Sequence, residues 1–99
     1  MKLLNKDGHE VSKIDFGIVE VGKTKTVEYQ FHNDDGTYVD LIDITLEDIP
    51  EAQEVIVGQH RTELSADSQT AFSLTWTPTL KVKKGLQLKV EVSYRTLWR

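Results

Sequence analysis

Apolar and polar residues alternate along most of this chain with a period of two, whereas the 3.6-residue period of helices is almost absent. Alternation of this kind is typical of β-strands with one buried face. The apolar residues of the three clearest segments are Val27, Tyr29 and Phe31; Phe72, Leu74 and Trp76; and Leu86, Leu88, Val90, Val92 and Tyr94. The pattern therefore predicts an all-β protein.

One segment breaks the alternation in a way that predicts a bulge. Val39 and Leu41 occupy odd positions, but the apolar residues that follow, Ile42, Ile44 and Leu46, occupy even positions. A β-bulge adds one residue to a strand and so shifts the register of its side chains. We expect this bulge rather than a strand that is buried on both faces.

The stretch FGIVEVG, residues 16–22, carries two glycines. A phosphate-binding loop would continue into a helix, but the residues after Gly22 are rich in Thr and Val and alternate like a strand. We therefore interpret the stretch as a corner of a sheet. Phe16 is expected to anchor the core, Gly17 to mark a close approach of backbone, and Gly22 to form a turn.

Turn signals divide the chain into about seven short strands at intervals of roughly 8–12 residues, with no helix longer than a turn. Asp7-Gly8 predicts a turn between two short strands, Pro50 predicts a break in regular structure, and LKVKKG at residues 80–85 predicts a turn. This spacing favours an immunoglobulin-like antiparallel β-sandwich of about seven strands. A chain of 99 residues is long enough to bury one core but not two, so residues 1–99 are predicted to form a single domain.

The composition argues against several classes of function. With 12 basic and 16 acidic residues the net charge is −4, which does not favour binding to nucleic acid. No apolar run approaches the roughly 20 residues that cross a membrane, and the opening MKLLNKDG lacks the apolar core of a secretion signal. The absence of cysteine fits a reducing compartment. We expect the protein in a virion or in the cytoplasm.

Acidic and basic residues are concentrated in different parts of the chain. Residues 26–60 contain many acidic side chains and no Lys or Arg, whereas the charged residues of segment 81–99 are basic except for Glu91. Two interpretations stay open. Neighbouring strands complement each other within one sheet, or an acidic face packs against a basic face of another copy or of a partner protein.

Several of these residues together resemble immunoglobulin-like domains of the ASH and major-sperm-protein type, which are related to the pilus-chaperone fold. The matching positions are Asp15, Phe16, Gly17, Val19 and Gly22 in the motif IDFGIVEVG, then Asn33 and Pro78 at the ends of later strands. The resemblance covers residues 14–94 and implies a structural or docking module. The chain lacks the basic peptide-binding face of the sperm-protein branch and the second domain of a pilus chaperone, so neither of those activities is implied.

No constellation of residues points to catalysis, a cofactor or a metal. His9, His32 and His60 are far apart and show no metal-ligand spacing. The acidic turn NDDGTYVD lacks the ligand spacing of a calcium loop, and the serines have no nucleophile-elbow context. We therefore predict a protein that is not an enzyme and that has no cofactor.

The residues most typical of an interface lie near the end of the sequence. Trp98 stands between Leu97 and Arg99, with Arg95 shortly before them. Large aromatic side chains beside arginine are typical anchors of protein interfaces. Two alternatives stay open: Trp98 folds back over the end of the sandwich, or it docks on a neighbouring chain together with Arg95, Leu97 and Arg99.

These observations favour a non-catalytic structural or docking module in a larger oligomeric assembly, whose partners are copies of itself or other proteins. We expect neither nucleic acid nor a membrane as partner. The specific form that we favour is a bacteriophage virion protein, such as a capsid decoration or tail-associated module. An intracellular ASH-like docking domain is the first alternative. A carbohydrate-binding β-sandwich is the second, although Trp76 is predicted to be buried and Tyr38 is the aromatic residue expected in an exposed loop.

Deletion of residues 97–99 tests the interface hypothesis. We expect the truncated chain to melt within about 5 °C of the full chain, a difference of roughly 1 kcal/mol for a domain of this size. We also expect it to lose incorporation into its parent assembly. Circular dichroism melts and co-sedimentation measure the two effects. A truncated chain that unfolds would make Trp98 part of the core, and one that still incorporates would place the interface elsewhere.

Overall fold

The computed structural model describes residues 1–79 and 85–96, and its secondary structure is almost entirely β-strand. The strands are β1 (Lys2–Asn5), β2 (Ile14–Gly17), β3 (Lys25–His32), β4 (Val39–Leu46), β5 (Val55–Val57), β6 (Gln69–Trp76), β7 (Leu86–Leu88) and β8 (Val90–Thr96), and a 3-10 helix spans Pro50–Glu54. Only Lys89 separates β7 from β8. The all-β prediction is confirmed, whereas the turn predicted within residues 80–84 lies outside the described residues.

The strands form two layers. In the first layer β1, β3, β6 and β5 lie side by side in that order, and each pairs with its neighbour in antiparallel fashion. The second layer is built on residues 86–96, where β7 pairs with β2 and β8 pairs with β4. Residues 62–64 pair with the other side of β4 through backbone hydrogen bonds to Val39 and Ile42. This is the predicted immunoglobulin-like sandwich.

The core lies between the layers and is centred on two aromatic side chains. Phe16 of β2 and Trp76 of β6 are almost completely buried, and their ring centroids lie 5.7 Å apart in a tilted arrangement. A second aromatic pair, Phe31 and Phe72, has centroids 5.5 Å apart. Tilted rings at these distances attract each other in addition to the apolar area that they bury. The predicted core positions of Phe16 and Trp76 are confirmed.

The glycine-bearing stretch is a corner, as predicted. Gly22 has a positive φ of 81°, which glycine adopts without strain, and its N–H donates to the carbonyl of Pro78 at 2.9 Å. Gly17 lies against Gly85 so closely that a Cβ on Gly85 would stand 3.0 Å from the Gly17 carbonyl carbon. The next element is strand β3 and not a helix, so the stretch does not form a phosphate-binding loop.

The bulge predicted in the strand after Val39 is present in β4. The pairing of β4 with β8 shifts between Asp40 and Asp43, so that Leu41 and Ile42 together face Tyr94. Leu41 has a φ of 52° and is 65% exposed, whereas Ile42 is buried. The extra residue thus returns the following apolar residues to the core face.

Asn33 is a buried polar residue that joins two loops. Its side chain is fully buried, and its Nδ2 donates to the carbonyl oxygens of Thr37 at 2.8 Å, Ser65 at 3.1 Å and Leu64 at 3.3 Å. Its Oδ1 accepts the N–H of Asp35 at 3.1 Å. One amide therefore satisfies backbone groups of the turn after β3 and of the loop before β6, which would be costly to bury without partners.

Two local predictions need correction. The Asp7-Gly8 turn forms, with the Gly8 N–H donating to the Asn5 carbonyl at 3.0 Å, but the strand predicted after it is reduced to one bridge between Leu4 and Glu10. Few apolar side chains follow the turn, so little burial supports a longer strand. The segment at Pro50, predicted to be irregular, begins the 3-10 helix, because proline is suited to the first helical position.

Replacement of Asn33 by alanine tests the importance of this junction. We expect Asn33→Ala to reduce the free energy of unfolding by about 3 kcal/mol, because buried groups that lose a hydrogen-bond partner cost about 1–3 kcal/mol each. Asn5→Ala is the matched control, because the Asn5 side chain also bonds to backbone groups: its Oδ1 accepts two N–H groups, in an exposed turn where water replaces it. Urea denaturation measures both changes. Equal losses for the two variants would contradict the role assigned to Asn33.

Candidate functional site

The strand formed by residues 86–96 has different neighbours along its two sides. The N–H of Glu47 donates to the Lys89 carbonyl at 2.9 Å, so the backbone groups of Lys89 point toward β4. Backbone groups alternate in direction along an antiparallel strand. Residues 91, 93 and 95 therefore also point toward β4, and residues 90, 92, 94 and 96 point to the opposite side.

On that opposite side, β2 covers only residues 86–88. The N–H of Asp15 donates to the Tyr29 hydroxyl at 2.8 Å and therefore points away from β7. Its neighbour Ile14 then points toward β7 and exchanges the backbone hydrogen bonds with Leu88. Among residues 1–79 and 85–96, β8 pairs with β4 alone. We call the uncovered side of residues 90–96 the open edge. Along it, Val90, Val92, Tyr94 and Thr96 present N–H and C=O groups that a further strand can bind.

The open edge differs from the other strand edges of the described chain. β5 has three residues and β2 has four. β1 is covered by the Val11 N–H, which donates to Leu3 at 2.9 Å. Residues 62–64 cover the first half of β4 through bonds to Val39 and Ile42, which leaves only residues 43–46 of that edge uncovered in the described chain. Proteins usually keep edge strands short or covered, because unpaired strands invite association. At seven residues, the open edge is the longest uncovered strand edge in the part of the chain that the structure describes.

The inward side chains next to the open edge are only partly covered. Val90 and Val92 are half-buried, and Tyr94 is 37% exposed. Across the β4–β8 ladder they adjoin Leu46 and Ile44, which are half-buried too. A strand added along the open edge would remove more of this apolar surface from water, which favours association.

An ion pair lies on the outer face beside the open edge. Arg95 donates to both carboxylate oxygens of Asp40, from Nε at 2.9 Å and from Nη2 at 2.7 Å. The Arg95 guanidinium lowers the pKa of Asp40, and the carboxylate raises the pKa of Arg95. The Asp40 side chain is 18% exposed and that of Arg95 58%, so the pair fixes the arginine while leaving much of it accessible. This contact between strands agrees with the first interpretation of the charge pattern.

Of the four predicted interface residues, the structure places one. Arg95 lies on β8 beside the open edge, and Leu97, Trp98 and Arg99 lie outside the described residues. The alternation of Val90, Val92 and Tyr94 predicts one buried face, and it gives no indication of the open edge. Side-chain alternation reports which face of a strand is buried, and it carries no signal about which strand lies alongside.

A polar cleft of about 410 Å³ lies apart from this strand, lined by Tyr38, His60, Arg61, Thr62, Glu63 and Ser65. The Tyr38 hydroxyl donates to the Glu63 carboxylate, and this hydrogen bond raises the pKa of Tyr38. The raised pKa favours the protonated phenol, which is the form that donates to Glu63. Within the described residues no cluster of three or more His, Cys, Asp or Glu side chains is arranged to hold a metal. The same residues contain no helix of the length and apolarity needed to span a membrane.

The ion pair between Asp40 and Arg95 predicts a pH-dependent stability. Because the folded-state pKa of Asp40 is lowered, the pair stabilises the fold above about pH 4, the ordinary pKa of aspartate, and this contribution is lost as the pH falls further. We expect Asp40→Asn to be less stable than the wild type at pH 7 and the difference to shrink toward pH 2. Urea denaturation at several pH values measures it. Asp43→Asn, on the same strand, is the control, and an identical pH profile for both variants would contradict the assignment.

Among the comparisons with known proteins, one family profile matches this chain. No curated protein and no solved structure matches the chain. The profile of one family, described as Abnormal spindle-like microcephaly-assoc'd, ASPM-SPD-2-Hydin and abbreviated ASH, matches residues 2–95, from the first strand to near the end of β8. Domains of this family are non-catalytic and mediate interactions between proteins. The match across nearly the whole chain and the immunoglobulin-like sandwich together show that this protein belongs to the ASH family.

Proposed function

We propose that this chain is a non-catalytic docking domain that binds an extended segment of a polypeptide as an added strand on the open edge. The observation that carries the proposal is the seven-residue strand β8, whose outward backbone groups have no partner among the described residues. Membership of a family that mediates protein–protein interactions supports a protein as the partner.

The open edge supplies both affinity and selectivity for such a segment. When a strand is added to a sheet, main-chain hydrogen bonds provide affinity, and alternate side chains provide specificity. Inward residues of the bound segment would cover Val92 and Tyr94 and would therefore be apolar. Outward residues would lie beside Glu91 and Arg95 and would be polar or charged. The expected ligand is thus an extended segment of alternating apolar and polar residues.

The three specific roles considered from the sequence differ in the support that they now have. Nothing in the structure or in the family match supports the bacteriophage virion form favoured by the sequence analysis, and residence in a virion or in the cytoplasm stays an untested expectation. The first alternative, an intracellular ASH docking domain, is consistent with the family match. The carbohydrate-binding alternative has less support, because Trp76 is fully buried and is not available to stack on a sugar.

Selection from a displayed library of random peptides tests the proposed function. We expect the selected peptides to alternate apolar and polar residues and to lose at least about tenfold in affinity for Val92→Pro, since each main-chain hydrogen bond is worth about 1 kcal/mol and proline also obstructs the neighbouring strand. The Val92 N–H points away from β4, so this substitution leaves the β4–β8 ladder intact. Fluorescence anisotropy of labelled peptides measures the affinities.

Val57→Pro is the matched control for this experiment. The Gly58 N–H donates to Ser73 at 2.7 Å, so by alternation the Val57 N–H points away from β6, at a different sheet edge. Circular dichroism melts check that both proline variants fold, and we expect Val57→Pro to bind the peptides as the wild type does. Selected peptides without alternation, or equal binding by Val92→Pro and the wild type, would show that the partner binds elsewhere.

A further inference from the structure

We infer that the strand added to the open edge is β8 of a second copy of this chain, so that two copies form a symmetric dimer through antiparallel β8 strands. The inference rests on the proposed function, because it uses the same edge and names its occupant. Three features of the described residues carry it: the direction of the backbone groups, the pattern of charges along β8 and the position of β2.

The backbone fixes which registers are possible. The outward groups belong to residues 90, 92, 94 and 96, and two antiparallel β8 strands exchange hydrogen bonds only when these residues face one another. A two-fold axis at Ser93 places Val92 opposite the partner's Tyr94 and Val90 opposite the partner's Thr96. This register uses all four outward residues of each strand. Symmetry repeats each contact, as in other dimers with one self-complementary surface.

The side chains of β8 favour the register with the two-fold axis at Ser93. On the outer face it brings Glu91 opposite the partner's Arg95, and symmetry repeats this opposite-charge contact. On the inner face it pairs Val92 with the partner's Tyr94. Opposite charges and pairs of aromatic with β-branched residues both stabilise neighbouring strands. Axes at Val92 or at Tyr94 would place Ser93 opposite Glu91 or Arg95 and would lose the charge pairing.

Arg95 can bind the partner's Glu91 while it stays bound to Asp40. Arg95 donates to Asp40 from Nε and Nη2, and a guanidinium carries five N–H donors. Within residues 1–79 and 85–96 its Nη1 has no hydrogen-bond partner, so Nη1 can donate to another carboxylate. The bidentate contact with Asp40 also restricts the side chain on the outer face next to the open edge. The arginine therefore loses little conformational freedom when it meets the partner's Glu91.

The position of β2 limits the length of the added strand. In the register centred on Ser93 the partner's Thr96 faces Val90, and the first paired residue of β2, Ile14, faces Leu88. The partner strand and β2 therefore lie end to end along one side of residues 86–96 without overlapping. A seven-residue strand fills the open edge, and β8 has seven residues.

Charge reversal on separate chains tests the dimer and its register. Glu91→Arg places arginine opposite arginine at both symmetric contacts, and Arg95→Glu places glutamate opposite glutamate. We expect each variant alone to dimerise at least about tenfold more weakly than the wild type in sedimentation equilibrium. In a 1:1 mixture both contacts become opposite in charge, and we expect a heterodimer with affinity close to that of the wild type. If the strands paired in another register, the affinity of the 1:1 mixture would stay as weak as that of the single variants.

Two further measurements keep the test decisive if Arg95→Glu, which also breaks the Asp40 contact, fails to fold. Glu91→Arg mixed with the wild type has one attractive and one repulsive contact, so we expect its affinity to lie between those of the two homodimers. Hydrogen exchange of the wild type gives the register by residue. The amides of residues 92, 94 and 96 should become protected as protein concentration rises, while those of residues 91, 93 and 95 are already protected by β4.

The outcomes separate this inference from the proposed function. A chain that stays monomeric up to about 1 mM, where association would contribute less than about 4 kcal/mol, overturns the dimer. If that monomer still binds selected peptides and Val92→Pro does not, the docking function stands and its occupant is another protein. A dimer whose amides at 92, 94 and 96 stay unprotected overturns the use of the open edge. If the mixture of Glu91→Arg and Arg95→Glu regains the wild-type dimer affinity and these amides are protected, both the dimer and its register are supported.

Discussion

The contact between Phe16 and Trp76 is the interaction on which the second layer depends. β2 has only four residues, and its ladder with β7 is short and interrupted by a register shift. Phe16, buried against Trp76 of the opposite layer, therefore adds a contact across the core that holds β2 beside residues 86–88. The extent of β2 decides how much of the last strand is covered. The open edge begins beyond Leu88, the residue that pairs with Ile14 at the start of β2.

The bulge in β4 connects the core to the outer face. By adding one residue opposite Tyr94, it directs Ile42 into the core and leaves Leu41 exposed. It also places Asp40 opposite Arg95, where the two side chains form a bidentate ion pair. Bulges locally increase the twist of a strand pair and re-aim side chains. The same irregularity thus completes the core face and positions the charged residue next to the open edge.

An exposed strand edge is a risk as well as a site, because any extended chain can pair with it. β8 carries Glu91 and Arg95 on its outer face, and these charges disfavour a strand with like charges at the facing positions. Backbone groups supply an attraction that is the same for every sequence, and the side chains restrict which strand and which register are accepted. The combination suits the ASH family, whose domains mediate interactions between proteins.

The sequence by itself determined the elements whose signature is the burial of one face. Alternation identified most of the strands, the shift at Leu41 identified the bulge, and the run FGIVEVG identified a sheet corner anchored by Phe16. These features depend on local side-chain chemistry, since apolar residues must face the core and glycine adopts positive φ without strain. The same reasoning predicted too much strand after Gly8, where few apolar side chains support pairing.

Only the tertiary structure decided which strand lies beside which. The role of Asn33 depends on the approach of the loop at Leu64, about thirty residues away, as the sequence separation of their hydrogen bond shows. Val92 and Tyr94 alternate in the same way whether a strand covers their outer side or not. Every residue except proline carries the same backbone donor and acceptor, so the sequence does not record which of them are paired. The open edge exists because β2 and β4 approach residues 86–96 from opposite sides and β2 ends short of Val90.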